Sequence, residues 1–245
     1  MKLISRQKIT IAVLAPFWIG LVIVSHIPIP QLVYRAEVSD KWLHFLAYLD
    51  LIFLVWFSIS PDDKVNWKKR QVLLILFVVC AYGGIDELLQ PYVGRIKDFG
   101  DFLANVAGVL TGLLLFTFLA FWQALLAVLA ITIFGLTNLA KADLSKLVPI
   151  LNAGFHIFAY AGITAVWIKF MRLYLPYKSF DKRLLLTCVV PVVFLTVVKI
   201  GSLLLGRHFS PTDLLFAAFG IIITALGKKY ARKNNQPRIT PEPVG

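Results

Sequence analysis

Long apolar runs recur along nearly the whole chain, and their length constrains the fold more than any other feature of the sequence. A helix needs about 20 predominantly apolar residues to cross the roughly 30 Å hydrocarbon core of a bilayer. Runs of roughly this length lie at 9–27, 41–60, 72–92, 101–121, 122–140, 147–171, 184–206 and 211–227. The sequence therefore predicts an all-α integral membrane protein with about eight transmembrane helices.

One boundary in this series is weak, because little more than Phe121-Trp122-Gln123 separates the fourth run from the fifth. A tight turn at residues 119–124 gives eight spans, whereas a single long element gives seven. The sequence leaves this choice open.

The composition supports a membrane protein and argues against a soluble enzyme. Hydrophobic residues make up 59% of the chain and charged residues 16%, whereas about a quarter of the residues in a soluble domain are charged. The net charge of +12 does not indicate a nucleic-acid partner, because the cations lie at the ends of apolar runs and not on one exposed face. We expect membrane lipids as partners and no nucleic acid, and the oligomeric state stays open.

The distribution of Lys and Arg predicts how the chain crosses the membrane. If the N-terminus is cytoplasmic, 17 of the 25 Lys and Arg residues fall on the inner side, seven fall on the outer side, and Lys199 lies within a span. An excess of cations marks the cytoplasmic side, so both termini are predicted to be cytoplasmic. Residues 229–245 are basic and contain prolines, and we expect them to form a disordered cytoplasmic tail.

The two halves of the chain match each other when one is shifted by 112 residues. The matched pairs include His44 with His156, Tyr48 with Tyr160, Asp101 with Asp213 and Gly108 with Gly220. Rare residue types that match at a single offset indicate duplication. We therefore expect two four-helix repeats, residues 1–120 and residues 121–228, in the parallel arrangement that some transporters use.

The second repeat is expected to be degenerate, because it lacks several polar residues of the first. At the same offset, Asp86, Glu87, Asp98 and Asn105 correspond to Val198, Lys199, Ser210 and Ala217. Any activity carried by these polar residues is therefore predicted to belong to the first repeat.

The first repeat concentrates its polar residues at one predicted depth, near the outer headgroup layer. Ionisable residues at that depth are costly to place and are candidates for function. The candidate catalytic residues are His44, Glu87, Asp98 and Asp101, and the candidate ligand-binding residues are Tyr48, Asp86, Gln90, Arg95, Lys97 and Asn105.

The spacing predicts which of these side chains share a helix face. His44 and Tyr48 are four residues apart, so they lie on one face of the second span. A continuous stripe on the fourth span is formed by Asp101, Asn105, Gly108 and Gly112. Its inner end consists of small residues that let another helix approach closely, so its polar end should point into the bundle and away from lipid.

These residues also have a structural interpretation. Asp98 and Asp101 are placed to begin the fourth span, where carboxylates offset the positive end of a helix. Arg95 and Lys97 can pair with them in a solvated loop, and His44 can act as an interfacial hydrogen-bonding residue. A ligand site is favoured only because so many polar groups fall at one depth.

Two further charges lie within predicted spans. Asp50 is near the middle of the second span, where a carboxyl group requires a polar partner or a proton. Lys199 occupies the position equivalent to Glu87, and we expect it either to pair with Glu87 or to extend its ammonium group toward the membrane surface.

Several segments around these residues together resemble the VanZ-like family. The resemblance rests on residues 41–48, 86–90, 94–98 and 101–108. It covers residues 1–120, and the second half resembles a degenerate copy. The resemblance implies a multi-pass protein of the bacterial cytoplasmic membrane, in a class linked to low-level resistance to teicoplanin, a glycopeptide that binds cell-wall precursors outside the membrane.

The first functional hypothesis is that the polar residues bind or modify a phosphate-bearing lipid or cell-wall intermediate at the outer leaflet. Arg95 and Lys97 would hold phosphate. His44 would act as an acid or a base, and Glu87 or Asp101 would orient its ring.

Two alternatives remain open. A transporter or lipid scramblase would suit paired repeats and would use the intramembrane charges Asp50, Glu87 and Lys199. A non-catalytic membrane scaffold would use Gly108 and Gly112 only to pack helices.

The sequence does not decide whether the protein is an enzyme. It contains no nucleophile elbow, phosphate-binding glycine loop or zinc-ligand motif, so it indicates no metal and no cofactor. A divalent cation that bridges carboxylates and a phosphate is compatible with the residues, but no spacing requires one.

Overall fold

The computed structural model describes residues 4–27, 37–175 and 180–234, and within these ranges the chain forms helices and no strand. The long helices are α1 Ser5–Ser25, α2 Asp40–Ile59, α3 Arg70–Leu89, α4 Phe99–Phe118, α5 Phe121–Thr137, α6 Pro149–Tyr174, α7 Phe180–Leu204 and α8 Pro211–Asn234. A 3₁₀ turn, Gln90–Val93, follows α3, and a one-turn helix, Leu144–Leu147, precedes α6. The prediction of an all-α protein is confirmed for the described residues.

Six of the described helices are long and apolar enough to cross a bilayer: α1, α2, α3 with its 3₁₀ turn, α4, α6 and the Leu186–Leu204 part of α7. Phe121–Thr137 and Pro211–Gly227 are apolar but shorter. The chain is therefore a multi-pass membrane protein, and the number eight stays a prediction.

The helix boundaries answer the question left open at residues 119–124. Helix α4 ends at Phe118 and α5 begins at Phe121, so the two apolar runs are separate elements. At the C-terminal end, α8 continues to Asn234, so the segment predicted as a tail from residue 229 begins as helix. Residues 235–245 lie outside the described residues.

Backbone packing divides the chain into two compact units. The first comprises Met1–Pro149 with Val197–Phe209, and the second comprises Ile150–Thr196 with Ser210–Gly245. This division does not coincide with the predicted repeats of residues 1–120 and 121–228, because α5 packs against α2 inside the first unit.

Helix α2 is the centre of the first unit and packs against α1, α4 and α5. Its apolar residues face neighbours on several sides, so Tyr48, Ile52, Trp56 and Phe57 are almost completely buried. The ring of Phe57 lies 5.2 Å from that of Phe116 on α4, measured between ring centroids. Burial on all sides explains why α2 has no polar face toward solvent along most of its length.

Two glycines let α4 lie directly against α2. A Cβ atom at Gly108 would lie 2.3 Å from the carbonyl oxygen of Phe45 and 3.0 Å from the backbone nitrogen of Leu49. A Cβ atom at Gly112 would lie 2.4 Å from Cγ2 of Ile52. The stripe on α4 therefore points into the bundle, as its spacing predicts. The helix it meets there is α2, and its small residues allow backbone-to-backbone contact.

The second unit contains the same close contact at the matched positions. A Cβ atom at Gly220 of α8 would lie 2.4 Å from the carbonyl oxygen of Ile157 and 3.1 Å from the backbone nitrogen of Ala161 on α6. These residues are the partners of Gly108, Phe45 and Leu49 at the 112-residue offset.

The turns after α3 and α7 also share one backbone geometry. Gly94 and Gly206, which match at the same offset, have positive φ angles of 77° and 63°, a conformation that favours glycine. The backbone N–H of Arg95 and that of Arg207 each donate to the carbonyl of the residue five positions earlier, over 3.2 Å and 2.8 Å.

We expect Gly108→Ala to push α4 away from α2 and to lower the free energy of unfolding by about 1–3 kcal/mol, although alanine is intrinsically the better helix former. The matched control is Gly20→Ala in α1, where an added Cβ atom meets nothing within 4 Å. Thermal unfolding of the purified protein in detergent measures both. A Gly108→Ala protein that unfolds at or above the wild-type temperature would contradict this packing.

Candidate functional site

A buried polar cluster forms where three helix ends of the first unit meet. The first turns of α2 supply His44, the end of α3 supplies Glu87, the 3₁₀ turn supplies Gln90, and the start of α4 supplies Asp101 and Asn105. Each of these five residues is at most 8% exposed. The structure therefore brings together five of the residues that the sequence singled out, and we call them, with Asp40, the His44 cluster.

The Nδ1 side of the His44 ring faces an amide and a carboxylate. Asn105 Oδ1 lies 3.0 Å from His44 Nδ1, and Glu87 Oε1 lies 3.6 Å from the same atom. Gln90 Nε2 donates to Glu87 Oε1 over 3.0 Å. Because acceptor oxygens surround Nδ1, this nitrogen carries the proton and donates to Asn105.

The Nε2 side of the ring faces two further carboxylates. Asp40 Oδ1 lies 3.8 Å from His44 Nε2, and Asp101 Oδ2 lies 3.9 Å from it. These separations are longer than a hydrogen bond. His44 therefore lies between acceptor groups on both sides of its ring.

Lys41 covers one side of the cluster and pairs with two carboxylates. Its ammonium group donates to Asp98 and, over 3.2 Å, to Asp101 Oδ1. Asp98 also accepts the N–H of Gly100 and so caps α4, as the structural interpretation of that residue predicts. The Lys41 ammonium and the Gly100 N–H together hold the pKa of Asp98 below its ordinary value.

Arg95 is already engaged inside the protein. Its Nη1 donates to the carbonyl oxygen of Ser25 over 3.2 Å, and its Nη2 donates to Asp40 Oδ2 over 3.3 Å. The side chain is only 9% exposed. Both terminal nitrogens of the guanidinium group donate hydrogen bonds within the protein. In this structure Arg95 therefore holds the carboxylate of Asp40 in place.

Several buried polar atoms in the cluster, and one on the neighbouring Tyr48, have no hydrogen-bond partner among the described residues. They are Tyr48 Oη, Glu87 Oε2, Gln90 Oε1 and Asn105 Nδ2. Buried polar atoms are nearly always paired, and an unpaired one costs about 1–3 kcal/mol. Four such atoms are thus concentrated close to His44.

Two predicted ligand-binding residues lie away from His44. Asp86 Oδ1 accepts a hydrogen bond from Ser25 Oγ over 2.9 Å and lies 3.7 Å from His26 Nδ1. Lys97 is exposed on the loop before α4. Asp86 thus joins the end of α1 to α3, and Lys97 remains accessible from solvent.

Asp50 and Lys199, the two further charged residues within predicted spans, each have a hydrogen-bond partner nearby. Thr132 of α5 donates to Asp50 Oδ1 over 2.8 Å, which supplies the polar partner that the sequence requires. Lys199 donates to the carbonyl oxygen of Phe209 and lies 5.1 Å from the centroid of that ring. In the described part of the chain no ion pair joins Lys199 to Glu87, whose ionisable neighbour is His44.

Sequence reasoning missed Asp40, Ser25 and His26. Asp40 lies four residues before His44 on the same helix, and this spacing alone could have placed its carboxylate beside the ring. Ser25 and His26 end a different helix, and nothing in their spacing indicates contact with Asp86.

The second unit contains a reduced form of this arrangement. Asn152 Nδ2 donates to Asp213 Oδ1 over 2.6 Å, and His156 Nε2 lies 3.7 Å from the same oxygen. Asn152 stands at the position equivalent to Asp40. The second unit thus keeps a histidine and one carboxylate, and an amide replaces the other carboxylate.

Comparison with known proteins finds a family similarity over the first part of the chain. A model of the VanZ/LLP1 family matches residues 5–123, which agrees with the predicted resemblance over residues 1–120 and includes the whole His44 cluster. No curated protein and no solved structure matches the chain.

Proposed function

We propose, from the match of residues 5–123 to the VanZ/LLP1 family, that the protein acts in the bacterial cytoplasmic membrane. There its His44 cluster binds or modifies a phosphate-bearing lipid or cell-wall intermediate at the outer leaflet, and thereby affects susceptibility to teicoplanin.

The observation that carries this proposal is the set of unpaired buried polar atoms around His44. An amide N–H of Asn105 and an oxygen of Gln90 are available to a ligand that brings both acceptors and donors, as a phosphorylated headgroup does. A purely structural cluster would be expected to satisfy its own groups.

The roles of the basic residues differ from those first expected. Arg95 holds Asp40 and its side chain is only 9% exposed. The cations that a phosphate can reach are Lys41, which pairs with Asp98 and Asp101 but has a side chain 56% exposed, and the exposed Lys97. His44 serves as the acid or base, and Asn105 and Glu87 orient its ring.

The proposed topology has eight spans, with both termini cytoplasmic and the His44 cluster at the outer end of the first repeat. The excess of Lys and Arg on the opposite side supports it. The proposed repeats, residues 1–120 and 121–228, are supported by the matched glycine contacts of Gly108 and Gly220 and by the matched turns at Gly94 and Gly206.

A membrane-impermeant maleimide tests this topology on intact cells. In a chain whose Cys80 and Cys188 are replaced by serine, we expect Lys97→Cys to be labelled, because its loop would face outward. Lys64→Cys, on the exposed loop between α2 and α3, should react only after the membrane is permeabilised. The reverse pattern would place the cluster on the cytoplasmic side and would contradict an outer-leaflet ligand.

The proposed activity is tested with His44→Gln and Asp101→Asn in a teicoplanin-sensitive bacterial host. We expect both to lose the tolerance that the wild-type chain confers and to lose the lipids that copurify with it, measured by mass spectrometry. His44 lies beside Asn105 and Glu87, which carry unpaired atoms, and Asp101 lies beside His44.

The matched control is Asp213→Asn, which makes the same change at the equivalent position of the second unit and should keep both properties. Immunoblots of membranes must show equal amounts of each protein. If His44→Gln and Asp101→Asn behave as the wild type in both assays, the ligand proposal is wrong; if they only reduce the amount of protein, the cluster is a scaffold.

A further inference from the structure

We infer that Asp40, His44 and Asp101 bind a divalent transition-metal ion. One possible ligand atom from each residue lies within 4.8 Å of those of the other two. The sequence motifs indicate no metal, so this inference goes beyond what the sequence predicts. It also goes beyond the proposed function, because it assigns an ion to residues whose proposed ligand is a lipid or cell-wall intermediate.

Each of the three residues has one atom held by a neighbour and a second atom turned toward a common space. The holding contacts are Arg95 Nη2 to Asp40 Oδ2 (3.3 Å), Asn105 Oδ1 to His44 Nδ1 (3.0 Å) and Lys41 Nζ to Asp101 Oδ1 (3.2 Å). The atoms left over are Asp40 Oδ1, His44 Nε2 and Asp101 Oδ2. Outer contacts that fix the orientation of ligating His and carboxylate groups are a general feature of metal sites.

The space between these three atoms suits a cation. Donation from Nδ1 to Asn105 leaves a lone pair on His44 Nε2, and this atom makes no hydrogen bond to any described residue although the side chain is 91% buried. In the neutral ring this lone pair faces carboxylate oxygens at 3.8 and 3.9 Å, an arrangement that is repulsive without a cation between them. An ion roughly 2.0–2.2 Å from each atom would convert this repulsion into coordination.

The ligand set selects the class of ion. Mg²⁺ and Ca²⁺ prefer oxygen ligands throughout, whereas zinc and manganese accept one imidazole nitrogen together with carboxylate oxygens. Three protein ligands leave coordination positions for water or another oxygen. The Asp40 side chain is 43% exposed, so this open side of the site is accessible from outside the chain.

The second unit supplies a natural contrast. Asn152 occupies the position of Asp40, and its amide donates directly to Asp213 Oδ1 over 2.6 Å. In the second unit an amide N–H thus donates to a carboxylate, whereas the first unit has two carboxylates, those of Asp40 and Asp101, at the same positions. The same exchange, Asp40→Asn, should turn the first site into the form found in the second.

The test uses the full-length protein, purified in detergent, stripped with a chelator and then titrated with Zn²⁺ or Mn²⁺. We expect about one ion per chain in the wild type and at least about tenfold weaker binding in Asp40→Asn and Asp101→Asn, since even the loss of an outer contact weakens metal sites by 10–100-fold. The control Asp213→Asn should bind as the wild type does.

A spectroscopic measurement on the wild type does not depend on whether a variant folds. Pulsed electron paramagnetic resonance of the Mn²⁺-loaded protein should show coupling to one imidazole nitrogen, and His44→Gln should abolish it. The inference is overturned if the wild type binds no ion, if the bound Mn²⁺ shows no imidazole coupling, or if Asp40→Asn and Asp101→Asn bind as tightly as the wild type.

Discussion

The close approach of α4 to α2 at Gly108 is the contact on which the rest of the first unit depends. The backbone of Gly108 lies against the carbonyl of Phe45, the residue next to His44, and Asn105 lies three residues before Gly108 on the same face of α4. Any side chain at residue 108 would separate the helices and draw Asn105 and Asp101 away from the ring. The close packing at Gly108 is thus required to bring Asn105 and Asp101 near His44.

The electrostatics of the cluster explain why a ligand or ion is expected there. Glu87 and Asp101 are each at most 3% exposed, and removing a carboxylate from water costs several kcal/mol unless cations and hydrogen bonds offset it. Lys41 faces Asp101, whereas the groups that offset the charge of Glu87 are the His44 ring, the Gln90 amide and the backbone N–H of Asp98. The carboxylates outnumber the cations, so the cluster is better suited to hold a cation, alone or with a bound phosphate, than to hold a bare anion.

Much of the fold and part of the site could be predicted from the sequence because they follow from periodicity. Apolar runs predicted the helices to within a few residues at most ends, and the spacing of Asp101, Asn105 and Gly108 predicted the face of α4 that meets α2. Contacts between different helices do not follow from spacing, so the engagement of Arg95 with Asp40 and of Ser25 with Asp86 could not be predicted. The partner of Lys199 could not be predicted for the same reason. Its position in the sequence suggested Glu87, whereas its ammonium group donates to the backbone carbonyl of Phe209.

The central claim is that the His44 cluster is completed by something outside the chain. A high-resolution cryo-electron microscopy map of the protein in nanodiscs of native lipid tests it directly. We expect non-protein density between Asp40, His44 and Asp101, continuous with the open side of the site at Asp40. A map in which His44 Nε2 hydrogen-bonds directly to Asp40 or Asp101, with no additional density, would contradict it.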